Sequence, residues 1–108
     1  MMAKKSIIQE KSQLFSGRIV KLNAYLVHTE KEKVLSKQVL RSGTSIGANV
    51  SEAIFAQSTA DFISKLSIAL KEANETRYRI LMLRDGNYLS DDSLILCLPM
   101  WKKSYRFW

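Results

Sequence analysis

Phe62, Leu66, Ala69, Ala73, Thr76, Ile80 and Leu83 follow one another at alternating steps of four and three residues. That rhythm holds one helix face toward a core, and it cannot be met by a strand, whose faces alternate every second residue. Ile63 and Leu70 widen the face. Both ends of the helix are marked. Ser58 or Thr59 suits the N-cap, and Asp61 suits the positive N-terminal end. Asp85-Gly86-Asn87 is a stop, with Gly86 able to take the left-handed conformation. Lys71 and Glu75 are expected to pair one turn apart.

The stretch before it keeps the same rhythm twice over. Leu35, Val39, Ser42, Ile46, Asn49, Ala53 and Ala56 form one stripe, and Leu40, Gly43, Gly47, Val50 and Ile54 a second beside it. Two stripes predict a helix, beginning near Glu32–Val34, that is buried on two sides. Gly43 and Gly47 lie one turn apart, which lets a neighbouring backbone come close. That packing logic is familiar from membrane helices, but the sterics need no lipid. Asn49 in a core stripe requires partners and is expected to fix helix register. Lys33, Lys37 and Arg41 make a third, basic face.

Upstream, Phe15, Ile19, Leu22 and Leu26 define an earlier helix, widened by Val20 and Tyr25. Its start is expected near Ser12 or slightly before, behind an arm of residues 1–10 docked by Ile7 and Ile8. Gly17 costs this helix about 1 kcal/mol relative to alanine, so a close contact is expected there. Arg18, Lys21 and His28 fall outside the apolar stripe, and Thr29–Lys33 reads as the turn. Downstream, a helix capped by Ser90 or Asp91 carries Leu94, Ile95, Leu98 and Trp101. Pro99 interrupts it, and residues 101–108 form a basic-aromatic tail. Short turns imply antiparallel neighbours. The expected fold is all-α: one domain over residues 1–108, an antiparallel up-down four-helix bundle with a short or atypical fourth helix.

Composition narrows the chemistry. One proline and four glycines disfavour a turn-rich all-β domain. A single cysteine (Cys97) and a single histidine (His28) exclude an internal disulfide and argue against a zinc site. No cofactor is expected. No apolar run is long enough for a membrane span, and the N-terminus lacks a signal-peptide core, so a cytoplasmic protein is expected. Gly43-Thr44-Ser45-Ile46-Gly47 spells G-x-S-x-G. A nucleophile elbow needs a strand before the serine and a histidine after it, and neither is present. Glu52, Glu72 and Glu75 lack a histidine at metal-ligand spacing and are expected to form interhelical ion pairs with Arg41, Lys65 or Arg77.

Net charge is +7, and it is unevenly placed. Residues 1–41 hold nine Lys/Arg against three Glu, residues 42–100 five against seven acids, and the tail adds three cations. Either an acidic partner, nucleic acid first, or plain solubility accounts for this.

Leu35-Ser36-Lys37-Gln38-Val39-Leu40-Arg41-Ser42-Gly43-Thr44-Ser45-Ile46-Gly47-Ala48-Asn49-Val50-Ser51-Glu52-Ala53 resembles the signature of the four-helix-bundle proteins encoded in intervening sequences of bacterial 23S rRNA genes. Asp61-Phe62-Ile63 with Lys65-Leu66, and Ile68 to Thr76, resemble that family's second block, and Ile19-Val20-Lys21-Leu22 its first-helix motif. The resemblance covers roughly residues 7–90. It implies a left-handed antiparallel bundle and a homo-oligomer, often a pentameric ring. A related branch, the accessory variability protein of diversity-generating retroelements, implies binding of nucleic acid and of a reverse transcriptase. No catalytic activity is implied. Two departures stand out. Arg79 follows Tyr78 where the family usually has tryptophan. The ending from Cys97 is also unlike the family's long fourth helix, as a shifted reading frame near residue 95 would produce.

Three functions compete on this reading. The first is a non-enzymatic oligomer binding RNA or DNA through Arg18, Lys21, Lys33, Lys37 and Arg41. The second is a scaffold that assembles through Gly43, Gly47, Asn49, Phe62 and Leu66 and docks a protein such as a reverse transcriptase. The third, an enzyme, lacks any converging set of catalytic groups. The tail's aromatics are expected to pack at a bundle end or across a subunit contact, ahead of meeting a membrane surface or stacking on bases.

Overall fold

The computed structural model describes residues 7–91. Those residues form three helices and no strand: α1 Ile7–His28, α2 Leu35–Ile54 and α3 Thr59–Asp85. The expected fourth helix and the tail lie outside the described residues.

α2 is the middle helix. It packs on both α1 and α3, which do not meet each other closely. This is the two-sided burial that its paired stripes require. Contacts on both sides of α2 fix the register. On one side the Asn23 amide donates to the Ser36 carbonyl at 3.2 Å, Gly43 faces Ile19, and Gly47 faces Ser12 and Ser16. On the other side Arg79 donates to the Gln38 carbonyl, Thr76 meets Ser42, and Lys65 meets Glu52. Numbers rise on one helix as they fall on the next, so both neighbours run antiparallel to α2. Phe15, Ile19, Leu22 and Leu26 of α1 join Val39 and Ile46 of α2 and Ala73, Ile80 and Leu83 of α3 in one core, closed at one end by Leu89. Each large aliphatic side chain buried there contributes about 1.5–3 kcal/mol.

Several local expectations change. α1 is already helical at Ile7, more than a turn before Ser12. Ser12 is no cap; it is buried, and its hydroxyl donates to the Gln9 carbonyl inside the helix. Gly17 has no atom within 4 Å of where a Cβ would sit. It is a helix weakness that serves no contact, so Gly17→Ala should stabilise the fold by about 1 kcal/mol, read as a higher urea midpoint. Gly86 has φ of −84°, and Asn87, with φ of 67°, takes the left-handed position instead. Asparagine tolerates that region well, and the turn closes through the Tyr88 amide on the Leu83 carbonyl at 2.8 Å. Glu75 is held by Arg41 and Arg79, not by the expected Lys71.

The helix ends are secured by side chains. Ser58 accepts from the Asp61 amide at 3.0 Å, as its N-cap position requires. α2 uses a different device. Val34 at its N-cap position offers no side-chain acceptor. The carboxylate of Glu32 accepts from the amides of Val34, Leu35 and Ser36 at 3.1, 3.0 and 2.7 Å. Partial burial pushes the Glu32 carboxyl up. The amides of Leu35, Ser36 and Val34 and the Ser36 hydroxyl outweigh that and hold it below its ordinary value. A lowered folded value means stability that is complete above the ordinary carboxylate range and lost as pH falls through the lowered value. Glu32→Gln should therefore cost about 1 kcal/mol at neutral pH. The urea-midpoint difference from the parent should vanish on acidification.

Candidate nucleic-acid interface

The first half of α2 presents its basic face to solvent. Lys37 and Arg41 are exposed one turn apart, and Lys33 is exposed just ahead of the helix. Neither Lys33 nor Lys37 joins an ion pair among the described residues. Arg41 does. Its guanidinium reaches α3, with Nη1 3.4 Å from Glu72 and Nη2 3.2 Å from Glu75. Glu75 also receives Arg79 at 3.5 Å. Lys65 pairs with Glu52 at 3.0 Å, so two of the three expected cations hold the carboxylates; Arg79 takes the role expected of Arg77. Arg18 and Lys21 are exposed on α1. Lys21 sits two positions from the fully buried Ile19 and hence on the far side of α1 from the core. Arg18 and Lys21 thus lie on α1, Lys37 and Arg41 on α2, and Lys33 just ahead of α2.

The small-residue positions face α1. A Cβ on Gly43 would lie 2.8 Å from both γ carbons of Ile19, and one on Gly47 2.8 Å from the Ser16 hydroxyl and 3.3 Å from the Ser12 carbonyl. Asn49 is half-buried and donates to the Ser45 carbonyl of its own helix at 2.8 Å. The polar contact that bridges helices in the core is instead Thr76 to Ser42, at 2.9 Å. Phe62 remains 40% exposed and Leu66 half-buried. With Ile54, Phe55 and Ile63, also exposed, Phe62 makes the α2–α3 end of the bundle apolar.

The G-x-S-x-G letters fall wholly within α2, where the Ser45 hydroxyl donates to the Arg41 carbonyl at 2.6 Å. A hydroxyl spent inside a helix is no exposed nucleophile. Among the described residues no three of His, Cys, Asp and Glu come together as a metal site. No described helix is long and apolar enough to cross a membrane.

One feature was not anticipated. Beside the Arg41–Glu75–Arg79 contacts, α2 and α3 enclose an open groove of about 460 Å³. Leu35, Met82 and Tyr78 form its apolar walls, and Gln38 and Asn74 bring amides to it. Tyr78 is 62% exposed. The signal was present in the sequence as a tyrosine between two arginines, off the heptad stripe of α3.

The sequence model of the 23S rRNA-intervening sequence protein family matches residues 4–107. The match runs past the roughly 7–90 span of the motifs and takes in the tail. A solved structure from Bacteroides thetaiotaomicron, a protein of unknown function from the S23 ribosomal protein family, is 48% identical. The alignment covers 94% of each chain with a TM-score of 0.91. Neither description names an enzyme activity. No curated protein matches the chain.

Proposed function

The chain belongs to the 23S rRNA-intervening sequence protein family, and from that premise we propose that it is a non-enzymatic, self-associating helical protein that binds nucleic acid through the basic face of α2. The observation that carries this reading is the state of Lys33 and Lys37. Both are exposed and, among the described residues, unpaired, on a chain whose net charge is +7. Such ammonium groups displace counterions from phosphates without reading bases. Arg41 contributes less directly, because phosphate has to compete with Glu72 and Glu75 for its guanidinium.

The test is a salt titration of binding to structured RNA and to duplex DNA. Micromolar binding at low salt, falling steeply as salt rises, is expected. Replacing Lys33 and Lys37 by glutamine should weaken binding on all sequences alike and reduce the salt slope by about 2. Absence of micromolar binding at low salt would end this reading.

A second reading, an assembling scaffold, draws on the exposed apolar end at Ile54, Phe55, Phe62 and Ile63. There the chain forms a homo-oligomer, a pentamer by the resemblance, and docks a protein partner such as a reverse transcriptase. Charge reversal at Lys37 would leave partner binding intact, whereas Phe55→Asp would lower the mass seen by light scattering.

A further inference from the structure

Resting on the nucleic-acid reading, we infer that the groove between α2 and α3 takes an unpaired base of a single-stranded nucleic acid, stacked on Tyr78. Four observations meet here. The Tyr78 ring is 62% exposed on a rigid helix, so it is a surface tyrosine held at the wall of a cleft. Leu35 and Met82 give the cleft a second apolar side, and its 460 Å³ has room for a planar heterocycle. The side-chain amides of Gln38 and Asn74 make no hydrogen bond to the described residues. Each therefore offers donors and an acceptor to the polar edge of a base. Finally, a cation lies beyond one end of the cleft. Lys71 is two turns before Tyr78 on the same face of α3, exposed and without an ion pair among the described residues.

The one carboxylate in the lining, Glu75, is already neutralised by Arg41 and Arg79. A strand's phosphates thus meet Lys71, while a base turned inward meets a ring, two aliphatic walls and two amides. A duplex cannot use the cleft, because its bases are stacked on one another. Stacking on an aromatic ring is tolerant of sequence, so a preference for single strands without strong base identity is expected. An apolar protein segment would fit the walls but leave the two amides and Lys71 unused.

Anisotropy titrations decide this. The probes are fluorescein-labelled oligoadenylate and the same strand annealed to oligothymidylate. The parent chain should bind the single strand more tightly. Tyr78→Ala should weaken single-strand binding about 5- to 100-fold and leave duplex binding unchanged. Tyr78→Trp should retain it. Tyr78→Leu keeps apolar bulk without a stacking face and should behave as the alanine variant does, which guards against a loss caused by misfolding. Single-strand binding untouched by Tyr78→Ala and Tyr78→Leu overturns the inference while leaving the α2 basic face in place. Binding of neither probe overturns both readings. A change of oligomer mass in the Tyr78 variants assigns the groove to a second copy of the chain and also overturns the inference.

Discussion

Gly43→Leu is expected to cost about 3 kcal/mol or more. In a domain of this size that lowers the melting temperature by about 15 °C or more. The reason is local. Even a methyl group on Gly43 would sit 2.8 Å from Cγ1 and Cγ2 of Ile19 and 3.2 Å from its Cδ1. Ile19 is completely buried, so it has no free space to move into. Alanine at this position gains about 1 kcal/mol of helix propensity, which offsets part of the clash; leucine gains no more and must force α1 away from α2. Gly47 is more forgiving. Its nearest neighbour is the Ser16 hydroxyl, which can rotate, and only then the Ser12 carbonyl, which cannot. The order of melting temperatures should be Gly17→Ala above the parent, then Gly47→Ala, then Gly43→Leu lowest. A Gly43→Leu variant that melts with the parent would mean that close approach is not what this glycine supplies.

Arg41→Ala is expected to destabilise by about 2 kcal/mol. Glu72 lies between α2 and α3 with its side chain only 15% exposed, and its Oε1 is buried with no hydrogen-bond partner among the described residues. Oε2 is paired with Arg41. Removing the cation strands a largely buried carboxylate, which costs several kcal/mol at full burial. The figure here is smaller because Arg41 itself is 55% exposed and water screens the pair. Glu72→Gln in the Arg41→Ala background should recover most of the loss, since it removes the orphaned charge. Chemical denaturation of the four variants of this cycle gives the coupling directly. A single-variant loss of only a few tenths would make the pair an ordinary screened surface contact. Either result bears on binding experiments, because a weakened Arg41 variant reports on nucleic acid only after its folded fraction is known.

How much was legible follows from which interactions are local. The two stripes of α2 gave its two-sided burial, because helical periodicity alone determines which positions share a face. Ser58 was legible as a cap because its acceptor serves an amide three residues on. The start of α1 was not legible near Ser12, since a serine hydroxyl can be satisfied inside a helix as well as at its end. The expectation of a pair between Lys71 and Glu75 failed because Glu75 has cations from two helices within reach, and cross-helix register is not written in local spacing. The same limit hid the groove at Tyr78, which exists only where α2 and α3 meet. The Glu32 cap was missed because its carboxylate reaches forward across Lys33 from outside the helix.

The unlike seams on the two sides of α2 have a kinetic consequence. Toward α1 the contact is made by glycines against Ile19 and the α1 serines. Toward α3 the buried Thr76–Ser42 contact lies inside, and long side chains, those of Arg41 and Lys65, bridge the exposed edge. Brief openings start at the largely exposed first turn of α3, from Thr59 to Ile63. Amide protons there should exchange with deuterium well before those of Gly43 and Ile46, which stay protected until the whole bundle opens.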